Sequence, residues 1–225
     1  NGKETTLGVT GALWRDAMVM YDRETGTYWS QVNATAIDGP HEGDRLREVP
    51  SMVTTWGEWK RLHPGTLVLE KPPLDASPYQ SYYDSEDGYG VFGRDNPDDR
   101  LSGKDLVIGV EEAGASAAVS LSRLREAGVI SGFVGETPVA WVAVSGPGAA
   151  AFERRLHGTI LELALDPAGR LVAAGKGGVS EFDLVTGEAL SGPLAGGTLR
   201  RLPARRAYWY AWVSFHPDTV LIERD

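Results

Sequence analysis

Asp22, Arg23, Trp29, Ser30 and Gln31 fall within one ten-residue stretch and together could recognise a ligand. Arg23 offers a planar fork of donors for a carboxylate or phosphate, and Trp29 would supply an apolar platform beside it. The plainer alternative is local: Asp22 and Arg23 pair across their own hairpin, and Gln31 bonds to backbone. His63 and His216 each precede a proline and follow two tryptophans at helical spacing. A near-neutral imidazole there could ligate metal or do acid–base work. Its recurrence in the same setting favours architecture, with the ring donating to backbone at a helix end. His41 and His157 have no partner at the close spacing of helical zinc motifs.

The acidic run Asp84-Ser85-Glu86-Asp87-Gly88, with Asp95, Asp98 and Asp99, could hold a hard cation through oxygen ligands. It lacks the spacing of a calcium loop and reads more simply as a solvated loop. His63, Asp84 and Asp87 are therefore metal-ligand candidates without a motif behind them. Ala173–Gly178 has too little of the phosphate-loop pattern to be more than a β-turn. Arg200, Arg201, Arg205 and Arg206, beside Tyr208, Trp209 and Tyr210, form the one basic and aromatic cluster. Such a cluster can stack on single-stranded nucleic acid or on an acidic partner. The net charge of −9 opposes nucleic acid, so pairing with local acids or a protein interface is expected.

These residues sit in a chain of 225, enough for one large domain or two small ones. Hydrophobic and charged fractions of 42% and 24% are those of an ordinary globular protein. With no cysteine, disulfides, thiolate zinc sites and thiol catalysis are excluded within this chain. No apolar run approaches the roughly 18–20 residues of a membrane helix. Asn1, with neither a signal peptide nor an initiator Met, suggests a processed or trimmed start.

The elements that must position the candidates recur. Ala36–Glu70 and Ala189–Glu223 align without a gap at 13 identical positions of 35, where average composition would give about two. The matches include Gly39-Pro40 with Gly192-Pro193, Trp56 with Trp209, Trp59 with Trp212, and His63-Pro64 with His216-Pro217. Upstream, Tyr21–Gly26 pairs with Phe182–Gly187, which requires eight extra residues around Thr27–Ala34 in the first repeat. That insertion would hold Trp29, Ser30 and Gln31, so the cluster would be the chief chemical difference between repeats. The second repeat has about eighty residues ahead of its Phe-Asp block and the first only twenty ahead of Tyr21, so the front repeat reads as truncated.

Alternation and turn residues predict strands at Met18–Tyr21, Thr27–Val32, Leu106–Glu111, Val129–Val134, Val139–Val144, Thr159–Leu165 and Leu171–Ala174. Gly26 can supply positive φ to the Arg23–Gly26 turn. A short helix is expected at Ser120–Ala127, capped by Ser120 or Ser122 and closed by Gly128. Trp56, Trp59 and Leu62 share one helical face, as do Trp209, Trp212 and Phe215. Thr54 or Thr55 caps the first of these helices, and Pro64 and Pro217 end both. Short strands should follow at Thr66–Leu69 and Thr219–Ile222. Lys71–Arg100 reads as a long ordered loop pinned by Tyr79, Tyr82, Tyr83 and Phe92.

Leu7-Gly8-Val9-Thr10-Gly11-Ala12-Leu13-Trp14, then Met18–Gly26 and Trp29-Ser30-Gln31, resembles the family catalogued as domain of unknown function 3179. Gly39-Pro40, Trp56, His63-Pro64, Asp99-Arg100-Leu101 and Val107-Ile108-Gly109-Val110 extend the likeness over nearly the whole chain. The family brings no reaction with it. Its members commonly carry a Cys-Pro-x-Cys element just upstream of the Gly-Val-Ser-Gly motif, which corresponds here to a point before Leu7. Where that element would recur, this chain has Ser145–Phe152 and no thiol. Many relatives look exported, which implies an extracytoplasmic setting.

The fold expected is mainly β, all-β to α+β: two related β-rich repeats, each with one short Trp-bearing helix. The divisions are 1–70 for the truncated front repeat, 71–102 for a connecting loop and 103–225 for the second repeat. The expected function is a non-enzymatic, extracytoplasmic binding or accessory protein for an unidentified small molecule or protein. Asp22, Arg23, Trp29, Ser30 and Gln31 would be its recognition surface, and Arg200, Arg201, Arg205 and Arg206 a possible protein interface. The alternative is a redox or metal-handling protein whose thiol site lies upstream of residue 1. No cofactor is expected within the chain itself, and metal only with such a segment. A third reading, a carboxylate-dependent hydrolase using His63, has no spacing motif behind it.

Overall fold

The computed structural model describes residues 4–72, 79–85, 88–90, 93, 95–144, 146, 148–175 and 177–223. Its first strands are β1 (Leu7–Trp14), β2 (Ala17–Asp22), β3 (Tyr28–Ser30) and β4 (Ala36–Asp38), hydrogen-bonded in that order into an antiparallel sheet. Trp14 faces Ala17 across a two-residue turn. Both turn residues, Arg15 and Asp16, have positive φ, which matches the right-handed twist of the strands. Helix α1 (Trp56–Leu62) begins where the Thr55 hydroxyl accepts from the Glu58 N–H at 3.2 Å, and it ends at His63, ahead of Pro64. The expected strand at Thr66–Leu69 does not form. Within the stretch read as loop, Gln80–Asp84 is a short helix, α2. Tyr79 and Tyr83 are exposed, Tyr82 is half-buried with its ring edge-on to that of Tyr83, and Phe92 lies outside the described residues.

The second half is richer in strands. It begins with β5 (Leu106–Glu112) and β6 (Ala115–Ser120), followed by helix α3 (Leu121–Ala127), which Gly128 closes at φ +75°. Ser120 stands at the cap position, but its hydroxyl bonds Ser122 rather than backbone. Next come β7 (Val129–Val134), β8 (Thr137–Ala143), β9 (Ala149–Glu153) and the small hairpin of β10 (Arg155–Leu156) and β11 (Thr159–Ile160). A meander of β12 (Leu163–Leu165), β13 (Leu171–Gly175), β14 (Gly178–Phe182) and β15 (Ala189–Ser191) follows. The chain then returns through β16 (Arg201–Leu202), β17 (Ala204–Tyr208), helix α4 (Trp209–Phe215) and β18 (Val220–Leu221).

Contacts group the chain into two compact units, and neither coincides with a division into 1–70 and 103–225. One is drawn from 1–49, 87–104 and 208–217, the other from 50–86, 105–207 and 218–225. In the first, Val19, Trp29 and Ala36 of the β1–β4 sheet are buried, as are Trp209, Trp212 and Val213 of α4. The Trp209 indole donates to the Asp98 carbonyl at 3.0 Å beneath the Arg100 guanidinium, and Trp14 meets Phe215 edge-on.

The second unit holds three four-stranded sheets, ordered β17-β5-β6-β18, β16-β9-β8-β7 and β12-β13-β14-β15. Strand side chains alternate between faces. Val139 and Trp141 of β8, with Ala149 and Ala151 of β9, join one core beside Ile108, Val110, Val119 and Leu124. Ala140, Val142, Ala150 and Phe152 point the other way, into a second core with Leu163, Leu171 and Phe182. The middle sheet is thus covered on both faces. Truncating Phe152, fully buried in this second core, should cost about 3–5 kcal/mol. Val179→Thr, at an exposed position of β14, should stay within about 0.5 kcal/mol. Urea unfolding followed by tryptophan fluorescence measures both, and similar costs would refute this placement of the core.

Candidate functional site

Asp22 ends β2 and opens the turn to β3. Its carboxylate accepts from the Thr25 N–H at 2.6 Å, the Thr25 hydroxyl at 2.7 Å and the Trp29 indole N–H at 3.0 Å. The backbone closes the same turn, with Asp22 N–H donating to the Thr27 carbonyl and Gly26 N–H to the Asp22 carbonyl. Burial alone would raise the carboxyl pKa. The bonds from Trp29 and Thr25 outweigh it and hold the group well below 3.8. Asp183 repeats the arrangement, accepting from the Val185 and Thr186 N–H groups and the Thr186 hydroxyl. Its pKa is lowered too, again against burial, by the Thr186 and Val185 backbone. An Asp-x-x-Thr-Gly turn of this kind satisfies its own carboxylate and folds a hairpin.

The structure changes which residues correspond between the two halves. Trp29 of β3 faces Ala36 of β4, as Phe182 of β14 faces Ala189 of β15, and both aromatic rings are buried. Ser30 N–H donates to the Thr35 carbonyl and Ala34 N–H to that of Ser30, matching Asp183 to Glu188 and Gly187 to Asp183. Trp29 and Ser30 therefore occupy the places of Phe182 and Asp183, and no extra strand is inserted around Thr27–Ala34. The Asp22–Gly26 turn belongs to the preceding hairpin, at the opposite end of the strands.

The five candidate residues accordingly divide. Asp22, Trp29 and Ser30 are buried, so Trp29 is no open platform. Arg23 is exposed, its guanidinium against the Tyr21 ring and hydroxyl, and it does not pair with Asp22. Gln31 is exposed beside Met18, to whose carbonyl its N–H donates. Arg23 and Gln31 thus lie at opposite ends of β2, roughly 16 Å apart at the rise of a strand. The Ser30 hydroxyl is buried with no hydrogen-bond partner among the described residues.

The remaining candidates are held locally. The His63 ring packs on Trp59 with centroids 4.2 Å apart, and the His216 ring on Trp212 at 3.9 Å. In each case the backbone N–H, not the ring, donates to the tryptophan carbonyl. Asp84 accepts from Gln80, and Asp87 lies outside the described residues. Among the described residues no three His, Asp or Glu side chains are grouped to hold a metal ion, and no helix is long and apolar enough to cross a membrane. Arg200 bonds Glu153 at 2.7 Å and Glu112 at 2.9 Å, and Arg205 approaches Glu111 at 3.7 Å. Arg201 donates to the Val185 carbonyl, and its burial lowers its pKa. Arg206 is exposed.

The sequence patterns gave no warning of one feature. Trp209 and Trp212 of α4 are 0% exposed, whereas Trp56 and Trp59 of α1 are 50% and 39% exposed. Val49 and Val53 before α1 are exposed, as are Leu67, Val68 and Leu69 after it.

Residues 1–219 match the model of a family described as a protein of unknown function, DUF3179, and the chain belongs to that family. No curated protein and no solved structure matches it.

Two substitutions test this geometry. A carboxylate with a depressed pKa stabilises above its unfolded pKa and loses that contribution as pH falls toward the folded value. Wild-type melting temperature should therefore fall more steeply than that of Asp22→Asn between about pH 4 and pH 2. Parallel melting curves would remove Asp22 as the source. Ser30→Ala deletes a hydroxyl that bonds nothing among the described residues, so stability should stay level or rise by up to ~1 kcal/mol. A loss larger than that on urea unfolding would show that the hydroxyl is satisfied.

Proposed function

We propose that the protein is a non-enzymatic binding or accessory protein acting outside the cytoplasm, built from two copies of one β-rich unit. Several correspondences support the duplication. Each half has a four-stranded meander, and the isolated bridges Thr35↔Arg45 and Glu188↔Thr198 follow at matching places. Each has a seven-residue helix ending in a histidine of nearly the same backbone conformation. The setting outside the cytoplasm rests on the likeness to exported relatives.

The observation that carries the binding reading is the run of exposed large apolar side chains from Val49 to Leu69, with two tryptophans near its middle. Large apolar side chains left exposed in such number favour docking of another molecule, and tryptophan is among the residues enriched at the centres of such contacts. The polar cluster around Asp22 supports the reading less well. Three of its members are inside the fold, and the other two do not converge. A photo-crosslinking amino acid placed at position 56, in the protein expressed in its source, tests the proposal. The expected result is a discrete adduct with another polypeptide segment, absent when the probe stands at exposed, polar Glu42. Equal, diffuse labelling from both positions would refute it.

A further inference from the structure

The open surface has a filled counterpart in the same molecule. By the gap-free correspondence, Glu48-Val49 matches β16, Ser51–Thr55 matches β17, α1 matches α4, and Leu67-Val68 matches β18. In the second half these strands close three sheet edges. β16 pairs antiparallel with β9, β17 lies beside β5, and β18 pairs parallel with β6. Leu202 is 1% exposed there, and Ile222 packs on the core. Their counterparts Val49 and Leu69 are 73% and 77% exposed. None of the three first-half segments is a strand.

Charge points to the same arrangement. Arg200 lies just before β16 and is clamped by Glu153 of β9 and Glu112 of β5. Its counterpart is Arg47, conserved in type between the two halves, which is exposed and has no hydrogen bond or ion pair among the described residues. A guanidinium is suited to gripping two carboxylates at once.

We infer that residues 47–69 form a dock for a β-sheet module with the build of residues 106–153, bound by strand addition and by two carboxylates around Arg47. The inference rests on the binding reading above and names its partner. Strand addition satisfies backbone groups along all three edges, while the tryptophans and Leu69 fill pockets between them. A second copy of this chain does not supply those edges, because its β5, β6 and β9 already carry β17, β18 and β16.

The test compares hydrogen exchange in the protein isolated from its source with exchange in residues 1–225 alone. Amine cross-links from Lys60 of α1 identify what covers the surface. Amides of 49–55 and 66–69 should exchange at least about tenfold more slowly in the isolated protein. The cross-links should reach a stretch that aligns with residues 106–153 and carries acids at the Glu112 and Glu153 places. Arg47→Glu should remove that protection, leaving exchange in 202–208 unchanged, and Arg47→Lys should restore part of it. Unchanged exchange in the isolated protein would overturn the inference, as would cross-links to a second copy of 1–225 or to a helical partner. So would an Arg47→Glu variant as protected as wild type. An adduct at position 56 without slowed exchange would leave the binding reading standing and refute strand addition alone; no adduct would remove both.

Discussion

The middle sheet of the second unit, β16-β9-β8-β7, is the constraint on which that unit depends, because both of its faces are covered. A sheet buried on two sides has no face for polar side chains, so β8 and β9 read as near-continuous apolar runs. Alanines at 140, 149, 150 and 151 let the flanking layers come close, and Trp141 and Phe152 fill the space on opposite faces. The cost falls on polar atoms caught inside. The Trp141 indole N–H has no partner among the described residues. The indole fills the space at the cost of a desolvation penalty that a phenylalanine would not incur.

A two-sided sheet still has edges, and exposed edges invite pairing with other chains. The second unit closes them with strands of two to five residues returned from far along the sequence: β16 on β9, β17 beside β5, β18 on β6. These strands have little intrinsic stability. They form because an edge waits for them, which is why Val220-Leu221 is a strand while Leu67-Val68 is not. Alternation of side chains describes what a segment can do, and hydrogen-bonding partners decide whether it does so.

The same distinction separates what was legible in the sequence from what was not. Hairpins and helix ends follow from local chemistry: Arg23–Gly26 turns with Gly26 at positive φ, Thr55 caps α1, and Pro64 and Pro217 end both tryptophan helices. Burial of those helices was illegible, since Trp56 and Trp209 sit in matching patterns with opposite exposure. The match of Tyr21–Gly26 to Phe182–Gly187 misled for a related reason. Both segments carry the Asp-x-x-Thr-Gly turn, and a turn motif reports its own hydrogen bonds rather than its place in a sheet. Ser30, which does take the place of Asp183, has neither the carboxylate nor the threonine that would reveal it.

That reuse also bears on how a functional residue is recognised. A buried carboxylate with a strongly depressed pKa is ordinarily a reason to suspect a site. For Asp22 the depression follows from hydrogen bonds given by Trp29, Thr25 and Thr27, and Asp183 shows the same turn lowering its carboxyl pKa through Thr186 and Val185. A group whose partners are all supplied by its own hairpin has little left to offer a ligand. Arg47 is the converse. Its counterpart Arg200 is satisfied by two glutamates, whereas Arg47 is exposed and has no hydrogen bond or ion pair among the described residues. Unspent hydrogen-bonding and apolar capacity gathered on one segment is what a binding surface would require, and the proposed dock between Arg47 and Leu69 rests on that criterion.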